Sequence, residues 1–314
     1  MRSLISDTNF NFMGRYRAFF MVSAAMLAVA ILAIAIRGLN LGVDFTGGYT
    51  IEVGYEQPAD LNAIRAALVQ AQLPDSQVQA FGTSTEVLIR MAPAKGDGGS
   101  SAKVSDEVLR VLSESSDSAI SMRRVEFVGP QVGEELREKG GLAMLTALFG
   151  IILYIWFRFE KKFSIGSVLA LVHDVIITVG VFALFQIEFD LTILAALLAV
   201  IGYSLNDTIV VFDRIRENFR LMRTGTPEEV MNDSINQTLS RTVITSGTTL
   251  LVLFALLLFG GKIISGFALA LIIGIVVGTY SSIFVASAAV LHLGVTREDL
   301  MPVEKEGADM DAMP

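Results

Sequence analysis

The sequence predicts an α-helical integral membrane protein with six transmembrane helices and one exterior α+β, ferredoxin-like domain between helices 1 and 2. Three observations lead there. Of 314 residues, 53% are hydrophobic and 18% charged, with a mean hydropathy of +0.59, whereas a soluble chain of this size needs more charge to cover its surface. The apolar residues are gathered into runs long enough to cross a hydrocarbon layer of about 30 Å. One stretch, residues 39–139, breaks the pattern with charges, turn residues and short mixed segments.

Residues 1–18 form a cytoplasmic amino-terminal segment carrying Arg2, Arg15 and Arg17, and helix 1 follows over 19–38. A basic flank before an apolar core is also the pattern of a signal peptide. Here the core, Phe19–Ile36, exceeds the usual ~7–15 residues, and Arg37-Gly38 follow without a small-residue cleavage site, so the helix is retained.

In 39–139, Gly48–Tyr55 reads as a strand and Pro58–Leu73 as a helix, with Leu61, Ile64 and Leu68 at helical spacing. Ser76–Phe81 and Glu86–Met91 are strands joined by the turn Gly82-Thr83-Ser84. Lys95–Ser101 is a flexible connection, Ala102–Ser115 a second amphipathic helix and Ser118–Val128 a closing strand. The order β-α-β-β-α-β is that of a split βαβ sandwich. The carboxylates Glu52, Glu56, Asp60, Glu86, Asp106 and Glu107 fall at exposed phases or in turns. This domain is expected to bind or move something rather than convert it.

Apolar runs resume after Gly140-Gly141. Leu142–Phe157, Phe163–Phe185, Leu191–Phe212, Val243–Phe259 and Ile263–Leu293 supply helices 2–6, so 140–293 is the main membrane domain, with a cytoplasmic segment at 213–241. Thr226-Pro227-Glu228-Glu229 is a capping box that starts a cytoplasmic helix running toward Arg241. Basic residues occupy the amino-terminal segment, the loop after helix 2, 213–241 and the tail, but Gln186–Asp190 has none and Gly260–Lys262 one. By the positive-inside rule both termini are cytoplasmic and 39–139 is periplasmic. The tail, 294–314, reads as an acidic, disordered end.

A net charge of −8 leaves no broad basic field for a nucleic-acid partner. The absence of Cys rules out disulfides and thiol chemistry, and two histidines, His173 and His292, are too few for a His-rich metal site. No catalytic, cofactor-binding or metal-binding residues are expected, and the chain is not expected to be an enzyme.

The polar residues inside the spans carry the function. Asn206 and Asp207 lie within the fourth apolar run, and an Asp at a membrane-helix centre costs roughly 2.5–3.5 kcal/mol on insertion scales. Either Asp207 is hydrated from the cytoplasmic side or neutralised by a neighbour, or it belongs to an ion or proton path. Arg241 opens the fifth helix in a polar stripe with Thr238, Thr242, Thr245 and Thr249. It stays charged at any accessible pH, and Asp207 is its nearest anionic partner by topology. A pair made and broken by helix movement would load and release a proton. Asp207, Asn206 and Arg241 are therefore the candidate proton relay, with the proton as coupling ion and no cofactor.

Secondary candidates are His173 and Asp174, roughly 15 Å below the cytoplasmic surface at 1.5 Å per residue, and Asp213 and Arg214 at the membrane boundary. Interhelical hydrogen bonding is the competing reading of His173–Asp174. Asp44 is read as a turn or hinge residue, and Gly266, Gly274 and Gly278 as close-packing positions.

Four motifs complete the reading: GVDFTGG at Gly42–Gly48, FVGPQVGE at Phe127–Glu134, GYSLNDTIVVFDRIREN at Gly202–Asn218 and LSRT at Leu239–Thr242. Together they resemble the SecD/SecF family of the bacterial Sec preprotein translocase, in the resistance-nodulation-division (RND) superfamily, over essentially the whole chain. The single modest exterior domain and the NDTIVVFDRIREN form fit its SecF branch. The resemblance implies an RND-type half in the plasma (inner) membrane that pairs with SecD, usually with YajC, beside the SecYEG channel. Such a complex uses the proton-motive force to draw the translocating preprotein outward after SecA has pushed it through. By motif match, Asp207 and Arg241 fall on the family's relay carboxylate and arginine, while Asp213 and Arg214 share the motif without an assigned role. A second reading is an RND-type half-transporter for a lipid or small molecule. A third, an intramembrane aspartyl protease using Asp174 and Asp207, is disfavoured by their unequal depths and the competing arginine.

Overall fold

The structure, a computed structural model, describes residues 8–73, 76–92, 101–116, 118–222 and 224–300. Helix α1 (Tyr16–Arg37) leads into β1 (Asn40–Leu41) and the short α2 (Val43–Thr46). Then come β2 (Gly48–Tyr55), α3 (Leu61–Gln70), β3 (Gln77–Phe81), β4 (Thr83–Met91), α4 (Ser101–Glu114) and β5 (Ile120–Val128). The rest is helical apart from β6 (Glu188–Phe189): α5 (Pro130–Arg158), α6 (Lys161–Phe185), α7 (Leu191–Leu221), α8 (Pro227–Phe259) and α9 (Gly261–Ser281). A π-helical turn, Ser282–Ala286, joins α9 to α10 (Ser287–His292). Six helical stretches among the described residues are long and apolar enough to span a membrane.

The exterior sheet has the order β3-β4-β2-β5 with every pair antiparallel, the arrangement a split βαβ sandwich requires. Alternation decides its faces. Tyr49, Ile51, Val53, Val87 and Ile89 are buried against Ile64 and Leu68 of α3 and Val108 and Leu112 of α4. The side chain of Asp60 accepts from the backbone N–H groups of Asn62 and Ala63, so it caps α3. Residues 95–100 of the expected flexible connection lie outside the described residues, and Ser101 already opens α4.

The opposite face of the sheet looks toward the membrane bundle. Thr50, Glu52 and Arg124 line a cavity of about 350 Å³ whose other wall includes Asp44, Glu188 and Asp190. Buried Arg90 of β4 forms an ion pair with Glu188 of β6. Burial lowers its guanidinium pKa from the ordinary value, and the charge of Asp190 opposes that shift. β1 and β6 pair in parallel, and Asp44 accepts a hydrogen bond from the Leu191 N–H at 3.1 Å, so it caps the exterior end of α7.

Two of the quoted motifs meet here. Gly47 has φ +68 and Gly48 φ +130, and a Cβ on Gly48 would lie 2.4 Å from the Met91 carbonyl oxygen. Only glycine fits both the angle and the space. A Cβ on Gly133 would lie 2.8 Å from the Gly47 nitrogen, so GVDFTGG is packed against FVGPQVGE.

Several boundaries differ from the sequence expectation. The second membrane helix starts at Pro130, not near 142, because Pro at the first helical turn and the polar residues after it are compatible with a helix outside the bilayer. The segment 213–241 is the continuation of two membrane helices, since α7 runs to Leu221 and α8 begins at Pro227 with the predicted capping box present. Arg223 lies outside the described residues. The tail is not disordered from residue 294: Val295 and Leu300 are buried in the same hydrophobic core as Phe163 and Phe212, and Lys162 holds Asp299 at 2.7 Å. Residues 301–314 lie outside the described residues.

At the other terminus, Asn232 of α8 accepts from the Phe12 N–H at 2.7 Å. Asn236, one turn later, bonds both the N–H and the carbonyl of Phe10 at 2.9 Å. Met13 is fully buried beside them.

The bundle core is set by α9 lying close on α7. A Cβ on Gly274 would fall 2.2 Å from Val200 Cγ2 and one on Gly278 3.0 Å from Ser204 Cβ, while Gly266 faces Ile193. All three glycines are close-packing positions. Gly274→Val is therefore expected to cost about 1–3 kcal/mol through overpacking and to lower the melting temperature of the detergent-purified chain. Gly150→Ala, which meets nothing within 4 Å, should not lower it.

Candidate functional site

Four membrane helices bring polar side chains to one buried layer. His173 and Asp174 come from α6, Ser204 and Asp207 from α7, Ser246 from α8, and Thr279, Tyr280 and Ser281 from α9. In α7, Ser204 and Asp207 are three residues apart and so share a face; both are buried. The glycine contacts just described let the α9 hydroxyls reach that face.

Asp207 is 2% exposed. Its Oδ2 accepts from Ser246 Oγ at 3.2 Å and from Thr279 Oγ1 at 3.3 Å, and these two hydroxyls lie 2.8 Å apart. The expected Asp207–Arg241 ion pair is not formed: Arg241 is exposed, and no ion pair within 4.0 Å joins it to Asp207. Asn206 is likewise exposed on the outer side of α7. The reason is helical phase, since α8 turns Thr238, Thr242 and Ser246 inward and Arg241 to the outside. The expected polar stripe is thus divided, with Thr249 meeting the Tyr203 hydroxyl at 3.1 Å.

Asp174 is fully buried. Ser204 and Ser281 both donate to its Oδ2, at 2.5 and 2.7 Å. Its Oδ1 lies 2.8 Å from His173 Nδ1. The two carboxylates therefore sit on separate hydroxyls and do not face one another, an arrangement unlike a paired-aspartate protease.

Asp213 and Arg214 belong to a different group, a charged rim at the ends of α5, α6 and α7. Arg158 pairs with Asp213 at 3.0 Å and Arg216 with Glu160 at 2.9 Å, while Arg214 pairs with Glu217 at 2.7 Å. The Arg158–Asp213 and Arg214–Glu217 pairs are partly solvated and stabilise little individually, whereas Arg216–Glu160 is more buried. Ser246, Thr279 and Ser281 were not among the expected site residues. The signal for two of them was available: Gly278–Ser282 reads GTYSS inside an otherwise apolar run.

The comparisons with known proteins converge. Residues 108–296 match the family described as protein export membrane protein SecD/SecF, C-terminal, and residues 32–59 match the SecD/SecF GG motif. The chain belongs to the SecD/SecF family. Among SecD/SecF relatives, the protein translocase subunit SecF of Vibrio alginolyticus is 53% identical over 99% of both chains. The subunit of the same name from Escherichia coli O157:H7 is 50% identical, covering 94% of this chain and 91% of its own length. A solved SecDF, described as a translocon-associated membrane protein from Thermus thermophilus, superposes with a TM-score of 0.83 at 40% identity. A second SecDF structure, in a super-membrane-facing form, gives 0.68. This chain corresponds to 39% of each solved SecDF chain while 91% and 92% of its own length are covered. The SecD/SecF membership and the six spans make it a multi-pass membrane protein of RND type.

If the hydroxyls hold the Asp207 carboxyl, removing one is expected to cost about 1–3 kcal/mol. Thermal unfolding of Thr279→Val, repeated in an Asp207→Ala background, checks this. The cost should shrink distinctly when the carboxyl is already gone.

Proposed function

We propose that the chain is a SecF-type translocase subunit that, with SecD, uses the proton-motive force to promote late preprotein translocation across the plasma membrane. The observation that carries the reading is Asp207, a buried carboxylate at membrane depth hydrogen-bonded to two neutral hydroxyls. A hydroxyl can donate to a carboxylate or accept from a carboxylic acid, so Ser246 and Thr279 can satisfy Asp207 in either protonation state. A fixed cation at the same place would hold it ionised.

Arg241 lies on the same helix as Ser246, five residues toward the cytoplasm, or about 7.5 Å along the axis. A shift of α8, or of a partner helix against its exposed side, would bring the guanidinium to Asp207 and expel the proton. Asn206, exposed beside Asp207, would face the same partner. One proton crossing 100 mV supplies about 2.3 kcal/mol, enough to bias a domain movement.

The movable element is the periplasmic domain, tied to the exterior ends of the helices through Asp44, the β1–β6 pair and Arg90–Glu188. Both termini are cytoplasmic in this scheme. The partners are SecD, YajC, the SecYEG channel, SecA indirectly, the emerging preprotein and the surrounding lipid; protons are the only coupling species.

Pulse-labelled export in cells depleted of the chain and rescued with Asp207→Asn is the deciding experiment. Asn keeps the shape and loses the ionisable proton. The variant is expected to accumulate normally yet leave export as slow as in depleted cells. Full rescue would refute the relay role of Asp207.

A further inference from the structure

Asp207 is not the most deeply enclosed carboxyl in the bundle. Asp174 has no exposed surface at all, and His173 beside it is 2% exposed. The imidazole Nδ1 is committed to Asp174, while the other ring nitrogen, Nε2, is buried without any hydrogen-bond partner. Buried polar atoms are paired as a rule, and a structural His locked between two partners would leave none spare. In the neutral ring that donates from Nδ1, Nε2 carries a free lone pair.

We infer that His173 and Asp174 form a second proton-binding site, with His173 Nε2 as the accepting atom, joined to Asp207 through the hydroxyls of α7 and α9. The inference rests on the proton-relay reading of Asp207 but concerns different atoms. An incoming proton binds the Nε2 lone pair and no other bond changes; release reverses the step. Charge counting gives the step its sense: the empty site is a neutral imidazole against a carboxylate, and the loaded one is an imidazolium–carboxylate pair with no net charge.

The surroundings are built for two states. The Tyr280 ring lies beside the imidazole and nearly parallel to it, with centroids 6.3 Å apart and 25° between planes. The Tyr280 hydroxyl donates to the Phe19 carbonyl at 2.8 Å and lies 3.0 Å from Ser23 Oγ, both on α1. Ser281, next in the chain, holds Asp174, and the π-helical turn begins at Ser282. Such turns relax the regular ladder and are frequent at functional sites. The link toward Asp207 is short: Ser204 donates to Asp174, and Thr279 to Asp207, from helices that touch at Gly278. The titratable groups within or beside the polar layer are Asp174 on α6, Tyr203 and Asp207 on α7 and Tyr280 on α9, while Lys161 and Lys162 open α6, the other charged residues of α7 begin at Asp213 and His292 ends α10. Helix α1 carries its arginines only near its ends, at Arg17 and Arg37.

The chain has only two histidines, so His292→Gln leaves a single imidazole to observe. The full-length His292→Gln chain, labelled with ¹⁵N-histidine and reconstituted in lipid bilayers with its partner subunit, is titrated by solid-state NMR from pH 5 to 9. The expected result is a change of the Nε2 resonance from the bare to the protonated form within that range. The titration should respond measurably to Asp174→Asn and to Asp207→Asn. An imidazole that keeps one form throughout overturns the site. A midpoint indifferent to Asp207→Asn overturns the link. Normal export with Asp207→Asn would sink the relay reading instead, and leaves the NMR outcome to decide the site on its own terms.

Discussion

A carboxylate between membrane helices needs hydrogen-bond donors that the lipid cannot supply, and here those donors are hydroxyls reached across a glycine-lined contact. Gly274 and Gly278 let α9 lie directly on α7. That closeness brings Thr279 to Asp207 and Ser281 to Asp174. With larger residues at the glycines the helices would stand apart, and both carboxyls would be left to the apolar interior. Packing and polar contact thus have one origin: small residues fix the distance at which buried carboxyls become tolerable.

The exterior domain is fastened to the same bundle at a few points outside the hydrocarbon layer. Asp44 caps α7, whose next turns carry Ser204 and Asp207; β6 lies between α6 and α7 and pairs with β1; Arg90 reaches Glu188 from the sheet. A change in the angle or height of α7 at its buried end therefore meets the sheet at its exposed end. Rigid helices transmit such shifts because packed interfaces do not deform smoothly.

Much of this was legible in the sequence. Alternation and turn residues specified the ferredoxin-like order, and the capping box at Thr226 announced the start of α8. Run length and hydropathy defined the spans. What escaped depended on distance between elements. Arg241 looks like a partner for Asp207 on topology alone, but helical phase turns it outward while Ser246 on the same helix turns in. The hydroxyls of Thr279 and Ser281 carry no charge and no motif, so only their juxtaposition with Asp207 and Asp174 reveals them. The start of α5 at Pro130 was hidden because its first turns are polar, and hydropathy detects the buried part of a helix rather than its whole length.

The segment Phe10–Phe12 and the helical turn that opens at Met13 carry a consequence for how the chain is made. Their backbone is held by Asn232 and Asn236, more than two hundred residues away in sequence, and Met13 fills a core that includes Val230 and Met231. A chain synthesised from its amino terminus emerges with that segment unpartnered until α8 has been inserted. Residues 10–13 thus dock only after α8 has been made, so closure of this end of the bundle waits on the final third of synthesis.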